Sequence, residues 1–589
     1  MITHIPWVSL IAILVAFTIY IIIILLITIG NVQILRWIRT VRKEYSVGQN
    51  DKNNNQDMQI IHKLSDTTEN SEDLLSVNED DDRSSISSIS SDGSVPLLSS
   101  SSSFGTQLIA SNGSIPLSTL PPTVSIIKPL KGIEENLEIC LESFFHIQYN
   151  QLYEILFTIS SISDPAYNIA RKLIYRYPHI DARIIIDKLD YNTDEENNLD
   201  SQITILSPAI AAVDRFPSYA NPKVSNCSKG VYSAKYTWIL LSDSNVRVPY
   251  DYLTNLTKYI KPDVGLISSS IVGIHSQPIT FLNKSGASSY RSFGHQIELF
   301  MLNIHINRCV AICHALNIPV VSGKVIFVRK ELMDNYSDRG FNTLLDYMAE
   351  DFMSGYFIRQ QNYKIVLTKT FVEQHVSQLT IQQCWDRHLR WGRLRKTITI
   401  WGTILELFGN SIVVGIIGAV GFMIYQNINT MESYTSSNTI EGDLSDIQRV
   451  TSILNWQPFY KFFLTHLCIW YCWDYLIYHL ILFTYDTTAC EGIKIKEVEG
   501  TINEYPYPST TYHTIKPYNW IKSINIFIEN SKHVIFGYEY PFILIWLCKE
   551  LIFGAPLWFH VIINNTINWK GTIVKIGKNT LIIPKDSSN

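Results

Sequence analysis

Hydrophobic and polar positions along the chain fall into three regimes. Trp7 to Ile29 is a run without a single charge, about 35 Å long as a helix and enough to cross a hydrocarbon core of about 30 Å. From Pro121 onward, short apolar runs alternate with amphipathic ones. TVSIIK (123–128), YEILFTIS (153–160), ARIIID (182–187), TWILLS (237–242), GLISSS (265–270) and VIFVRK (325–330) read as strands, and EENLEICLESFF (134–145) and AYNIARKLIYRY (166–177) as helices. That alternation predicts a predominantly parallel sheet with helices on both faces, an α/β domain whose ligands collect beyond the carboxyl ends of the strands. After residue 396 the chain turns apolar again over Thr397–Tyr425, Phe459–Tyr485 and Val534–Ile563.

Between the first span and the α/β region the pattern disappears. Residues 45–119 hold NEDDD (78–82), SSISSISS from Ser84 and SSSSS from Ser99. A segment so poor in apolar residues cannot offset the entropy of ordering, so it reads as a disordered tether. Residues 188–220 look like a loop insertion. The organisation expected is therefore an anchor with a basic flank (1–44), a tether (45–119), a catalytic-sized α/β domain (120–396) and a membrane region with a short tail (397–589).

Charge sharpens this picture. Charged residues make up 17% of the 589 and hydrophobic residues 46%, against roughly 25% charged in an ordinary soluble protein. So little charge implies that much of the surface faces lipid. The balance of 48 Lys+Arg against 53 Asp+Glu argues against a nucleic-acid partner, which calls for a basic excess. Nine scattered cysteines do not form a disulfide framework, and Cys309-x-x-x-Cys313-His314 lacks a second ligand pair at zinc spacing. Arg36, Arg39, Arg42 and Lys43 follow the first span, whereas the loop 426–456 has one basic residue, Arg449. By the positive-inside rule residues 45–396 and the tail face the cytosol. The sequons at Asn112, Asn226, Asn255, Asn283 and Asn335 are then unmodified. Val534–Ile563 carries Lys549, Glu550, Pro541 and Pro556, a pattern for a re-entrant or interfacial hairpin rather than a lipid-exposed span.

Three groups carry candidate chemistry. Asp243-Ser244-Asn245 ends a hydrophobic strand, where a carboxylate can hold Mg²⁺ or Mn²⁺ against a diphosphate. Glu350-Asp351 opens a helical run, where acids also suit the helix dipole. Arg387-His388-Leu389-Arg390-Trp391 stands just before the membrane-seeking region. A basic stretch there can serve only as a topology signal, but Arg-x-x-Arg-Trp also makes a cationic and aromatic platform for a diphosphate beside lipid. A fourth acid, Asp164, lies just past another strand.

The order of these groups resembles family-two-type inverting glycosyltransferases with a GT-A, Rossmann-like fold. The details are similar to the ceramide glucosyltransferase branch: VSIIKPLKG (124–132), SDPA (163–166), NPKVSN (221–226), DSNVRV (243–248), AEDF (349–352), RHLRW (387–391) and the tail INWKGTIVKIGK (567–578). The resemblance implies transfer of glucose from UDP-glucose to the primary hydroxyl of ceramide at an ER or Golgi bilayer, assisted by Mg²⁺ or Mn²⁺. It places Asp164 and Lys223 near the donor and Asp243 on donor and metal. It makes Asp351 the catalytic base, sets Arg387, Arg390 and Trp391 against diphosphate and acceptor, and makes His305 the counterpart of the family's functional histidine. Asn245 stands where the general Asp-x-Asp pattern has a second acid. Competing readings are a processive polysaccharide synthase, a polyprenyl-phosphate sugar transferase and, outside enzymes, an inactive membrane scaffold. Three carboxy-terminal stretches are few for a polymer channel, and an inactive scaffold has no need to keep all three aspartates.

Overall fold

In the computed structural model, the structure describes residues 15–40, 121–186, 203–205, 220–275, 292–437, 455–485, 541–569 and 572–583. The tether expected over 45–119 lies outside the described residues. Nine strands form one mixed sheet: β1 (Val124–Pro129), β2 (Tyr153–Ile159), β3 (Asp181–Ile186), β4 (Ile203–Ile205), β5 (Trp238–Ser242), β6 (Val246–Arg247), β7 (Val264–His275), β8 (Val325–Arg329) and β9 (Lys364–Val376). Their spatial order is β4-β3-β2-β1-β5-β8-β7-β9-β6. All six strands read from the sequence are present. The expectation of a predominantly parallel sheet holds for β1 through β5. The exception positions the site: β8 runs antiparallel to both β5 and β7, with Ser242 opposite Val325. Strand β9 has an interrupted apolar pattern (KIVLTKTFVEQHV) that the sequence reading passed over, and β4 lies within the segment read as a plain loop insertion.

Helices in chain order are α1 (Val15–Thr40), α2 (Leu137–Glu142), α3 (Ala166–Arg176), α4 (Pro222–Ser233), α5 (Tyr252–Thr257), α6 (Phe293–Phe300), α7 (Asn307–Ala315), α8 (Lys330–Asp334), α9 (Glu350–Gln360), α10 (Ile381–Ile398), α11 (Ile400–Leu407), α12 (Ser411–Ser437), α13 (Gln457–Tyr485), α14 (Phe542–Leu551) and α15 (Ala555–Ile563). A π-helical turn, Met301–Ile306, joins α6 to α7. A small antiparallel sheet of β10 (Thr566–Trp569), β11 (Thr572–Ile576) and β12 (Ile582–Ile583) closes the chain. The core between sheet and helices is aliphatic and aromatic, with Ile127, Leu156, Ile239, Leu266, Val328 and Leu344 essentially buried.

Three helical segments among the described residues are long and apolar enough to cross a membrane: Val15–Thr40, Ser411–Thr430 and Phe542–Ile563. The first extends well beyond Ile29 and carries Arg36 and Arg39 on the same helix. The second apolar stretch, α13, is one helix of 29 residues. Thr397–Tyr425 is interrupted between α11 and α12, and Val534–Ile563 is broken at 552–554 into two short helices. Asp474 and Glu550 inside these stretches are buried and paired, which is how polar groups survive at membrane depth; Glu406 is paired but half-buried. Arg308 pairs with Asp474, donates from Nε to Asn31 Oδ1 at 2.9 Å, and Trp546 Nε1 donates to Asp474 at 3.0 Å. Lys549 pairs with Glu550 at 2.6 Å, and Glu550 accepts from Ser411 N at 2.7 Å. Lipid therefore does not meet this charge pair. The first helix belongs to the same bundle: Tyr20 contacts His466 through its hydroxyl at 3.1 Å.

Candidate active site

The site grows from the carboxyl edge of β5. Asp243 follows that strand, and the antiparallel approach of β8 sets Lys324 beside it, the Asp243 amide donating to Lys324 O at 3.2 Å. Lys324 Nζ reaches Asp243 Oδ2 at 2.7 Å. Across the carboxylate, Lys223 Nζ lies 2.7 Å from Asp243 Oδ1 and 2.7 Å from Glu350 Oε1. Lys223 is held there by local capping: Asn221 accepts from Lys223 N and Val224 N at 3.0 and 3.4 Å, with Pro222 at the first helical position. Below the Asp243 turn, fully buried Lys128 donates to Ser242 Oγ at 3.2 Å and to Asp243 O, its Nζ 4.1 Å from the Phe144 ring centroid. Burial lowers its proton affinity to about 7, against the pull of nearby acids.

Glu350 and Asp351 sit in the first turn of α9. Their environments differ. Glu350 shares Lys223, whereas Asp351 has no ion-pair partner among the described residues, and its Oδ1 accepts only from the Phe352 amide at 2.8 Å. Burial, then the charge of Glu350, pushes its carboxyl up to about 6. Burial also opposes ionisation of Asp243, but Lys223 and Lys324 override it and hold that carboxyl well below the usual range. Gly323 admits this crowding: a Cβ built there would lie 2.7 Å from Asp351 Oδ2. A small pocket opens among Pro129, Lys223, Asp243, Gly323 and Glu350.

The other sequence candidates are dispersed around this centre. Asp164 lies past β2, where its carboxylate accepts from Gly132 N at 2.9 Å through either oxygen and from Ala166 N at 2.9 Å, fixing the loop after β1. Arg387 is drawn away to Glu298 at 3.0 Å. Trp391 meets His388 edge-on at 5.2 Å. Arg390 has no hydrogen-bond or ion-pair partner among the described residues; burial and then the charge of Arg387 lower its proton affinity, against the pull of Glu350. His305 joins neither group: it lies 3.4 Å from Glu406, which also pairs with Arg395. These three line a separate small pocket with Gly392, Asn410 and Phe553.

Two residues at the site were not singled out from sequence. Lys324 was invisible because its neighbour Asp243 is distant in the chain and only the antiparallel strand joins them. Glu298 carries no exposed surface; it binds Arg387, His388 at 2.9 Å and the Cys384 thiol at 3.3 Å. A lone acid inside the apolar run FGHQIELFMLNIHI was its signal. Glu298, Cys384 and His388 are close enough to share a metal ion, but the carboxylate is already saturated by donors.

For a divalent cation at the donor site, the donor chemistry is suitable. Asp243 offers a carboxylate, and Asn245 Oδ1 is a buried amide oxygen without a hydrogen-bond partner, both hard ligands. A cation there must displace a lysine from Asp243, since both oxygens are engaged.

The model of the family described as glycosyl transferase family 21 matches residues 100–199 and 209–475, well over half the chain. The chain belongs to glycosyl transferase family 21. Its mixed α/β sheet is GT-A-like, and Asp164 and Asp243 follow the carboxyl ends of β2 and β5, the edge that such sheets use. Curated relatives include a ceramide glucosyltransferase of Komagataella phaffii, 24% identical over 78% of this chain and 83% of that one. Another, of Candida albicans, is 24% identical over 77% and 86%. Among solved structures, mannosyltransferase PcManGT from Pyrobaculum calidifontis in complex with GDP-Man and Mn²⁺ aligns with 63% of this chain and 89% of that one. The TM-score is 0.28 and the identity 13%, and so loose an overlay carries no argument.

Proposed function

We propose that this family 21 protein transfers glucose from UDP-glucose to the primary hydroxyl of ceramide with inversion, at the cytosolic face of an ER or Golgi membrane. The observation that carries this reading is Asp351: a half-buried carboxylate with no ion-pair partner among the described residues, next to Glu350 on the wall of a pocket that Lys223 and Asp243 also line. A base with its affinity raised to about 6 is suited to taking a proton from an alcohol near neutral pH. The acceptor oxygen attacks the anomeric carbon opposite the departing diphosphate, which needs positive charge but no acid. Lys223 and Lys324 hold Asp243 and Glu350 while the donor is away and turn to diphosphate oxygens when it arrives; Arg390 supplies a further cation with several donors. Where Mg²⁺ or Mn²⁺ is bound, Asp243 and Asn245 would hold it, and it neutralises diphosphate charge. Asp164 keeps the loop after β1 in place for the nucleotide.

A lipid acceptor suits the layout. Lifting ceramide from the bilayer costs about 0.8 kcal/mol for each CH₂ exposed, so the site must come to the interface. The helix bearing Arg390 leads directly into α11 and the apolar α12. The names of the two relatives favour ceramide over other lipids. The test is to feed membranes containing the protein with labelled UDP-glucose, with and without ceramide, and analyse the products. A ceramide-dependent β-glucosylceramide is expected. Label appearing instead in a polymer or a polyprenyl phosphate, or none at all, overturns the reading.

A further inference from the structure

The small carboxy-terminal sheet packs against α10 and against the segment that leads into Glu350 and Asp351. Ile567, Ile576 and Ile582 from its three strands share one apolar cluster with Met348 and with Leu394 of α10. Between these pieces lies Thr580, fully buried and with φ of +64°, directly after Asn579 at +54°. Left-handed backbone is an outlier for a β-branched residue and persists only where the surroundings over-determine it.

Here the surroundings are three hydrogen bonds and a strand bridge. Thr580 N donates to Thr397 Oγ1 at 3.2 Å. Its own Oγ1 accepts from Ala349 N at 3.2 Å, and its carbonyl accepts from Met348 N at 2.9 Å. Tyr347 and Leu581 form an antiparallel bridge alongside. Met348 and Ala349 are the two residues before Glu350-Asp351. Ala349, as the N-cap of α9, has no side chain with which to cap it. On α10, Arg390, Leu394 and Thr397 are spaced i, i+4, i+7 and share one face. One residue of the tail thus ties the start of the helix bearing Asp351 to the face of the helix that carries Arg390.

We propose that Thr580 is a positioning residue for sugar transfer, fixing Asp351 relative to Arg390 so that base and diphosphate cation close on the same substrate pair. The reaction it serves is the one proposed above. The tail is therefore part of the active site's frame, although it lies about 230 residues beyond the base in sequence.

Thr580→Ser and Thr580→Ala in the full-length membrane protein isolate the contact, because both lose the methyl and only alanine loses the acceptor for Ala349 N. Relative to Thr580→Ser, Thr580→Ala should lower kcat about tenfold, in line with the sensitivity of transfer to sub-ångström misplacement. Its KM for UDP-glucose and its thermal midpoint should match those of the serine variant. Hydrogen exchange should quicken in the peptide spanning 346–352. Equal kcat and equal exchange in the two variants would overturn the proposal. So would a loss of kcat that merely follows the thermal midpoint, which marks a structural role only. If the parent protein glucosylates no ceramide, the proposed function falls, and the exchange comparison still decides whether Thr580 holds this loop.

Discussion

Two carboxylates in this protein, Glu298 and Asp351, have opposite fates. Glu298 is sealed under α10 with Arg387 and His388 on its oxygens. Burial opposes its ionisation, yet those partners hold it down at about 2. Asp351 is half-buried and the nearby lysines are spent on Asp243 and Glu350, so that burial and then the Glu350 charge raise its carboxyl to about 6. The same residue class serves as a strut where cations converge and as a candidate base where they are withheld. The comparison also splits the Arg-x-x-Arg-Trp motif: Arg387 belongs to the strut, and Arg390, without such a partner among the described residues, is the one we propose meets the substrate.

The sharpest way to break the contrast is to neutralise each acid in turn. Asp351→Asn should lower kcat by roughly 10² or more while leaving the fold intact. Because the folded protein raises the affinity of Asp351, its charge opposes folding at neutral pH, and the variant's thermal midpoint at pH 7.5 should equal or exceed the parent's. Glu298→Gln should do the reverse. Stranding Arg387 and His388 is expected to remove about 3 kcal/mol of stability, read as a lower thermal midpoint. An Asp351→Asn enzyme with parental turnover would move the base elsewhere, with Glu350 the first suspect.

A pH series sharpens the same point with smaller changes. Asp351 acts as a base only when ionised, so kcat should fall about tenfold per unit as pH drops below about 6. Glu298 behaves as a depressed carboxyl: its contribution to stability is complete above its ordinary value of 4.5 and is lost as pH falls from there toward 2. Between pH 6 and 5, activity should therefore decline while the thermal midpoint barely moves. Coincident loss of the two would mean that one acid is doing both jobs.

Much of this arrangement was legible in the chain. Period-two and near-continuous apolar runs located the six strands, and with them the edge where Asp164 and Asp243 stand, because a strand's burial is written in its own composition. The first apolar run and the charges around it marked the membrane region for the same reason. The motif order pointed to a glycosyltransferase family, because each motif is a run of residues close together in the chain. Less could be read about partners. Arg387 and Arg390 look equivalent in Arg-x-x-Arg-Trp, and at i, i+3 they are neighbours on one side of α10, yet Glu298 pairs with the first and the second has no ion-pair partner among the described residues. His305, expected with the motif residues, instead contacts Glu406, and no local pattern encodes that choice.

The sequence by itself thus determined which segments become strands, helices and membrane-seeking stretches, and which acids terminate strands, since these follow from local periodicity and solvation. Tertiary structure alone decided the antiparallel insertion of β8 that brings Lys324 to Asp243, the saturation of Glu298, and the seat of Thr580 beneath the loop of Asp351. Each is a meeting of residues far apart in the chain. Its energy depends on which cation, donor or apolar surface is already taken by a neighbour, and that competition exists only once the chain has closed on itself.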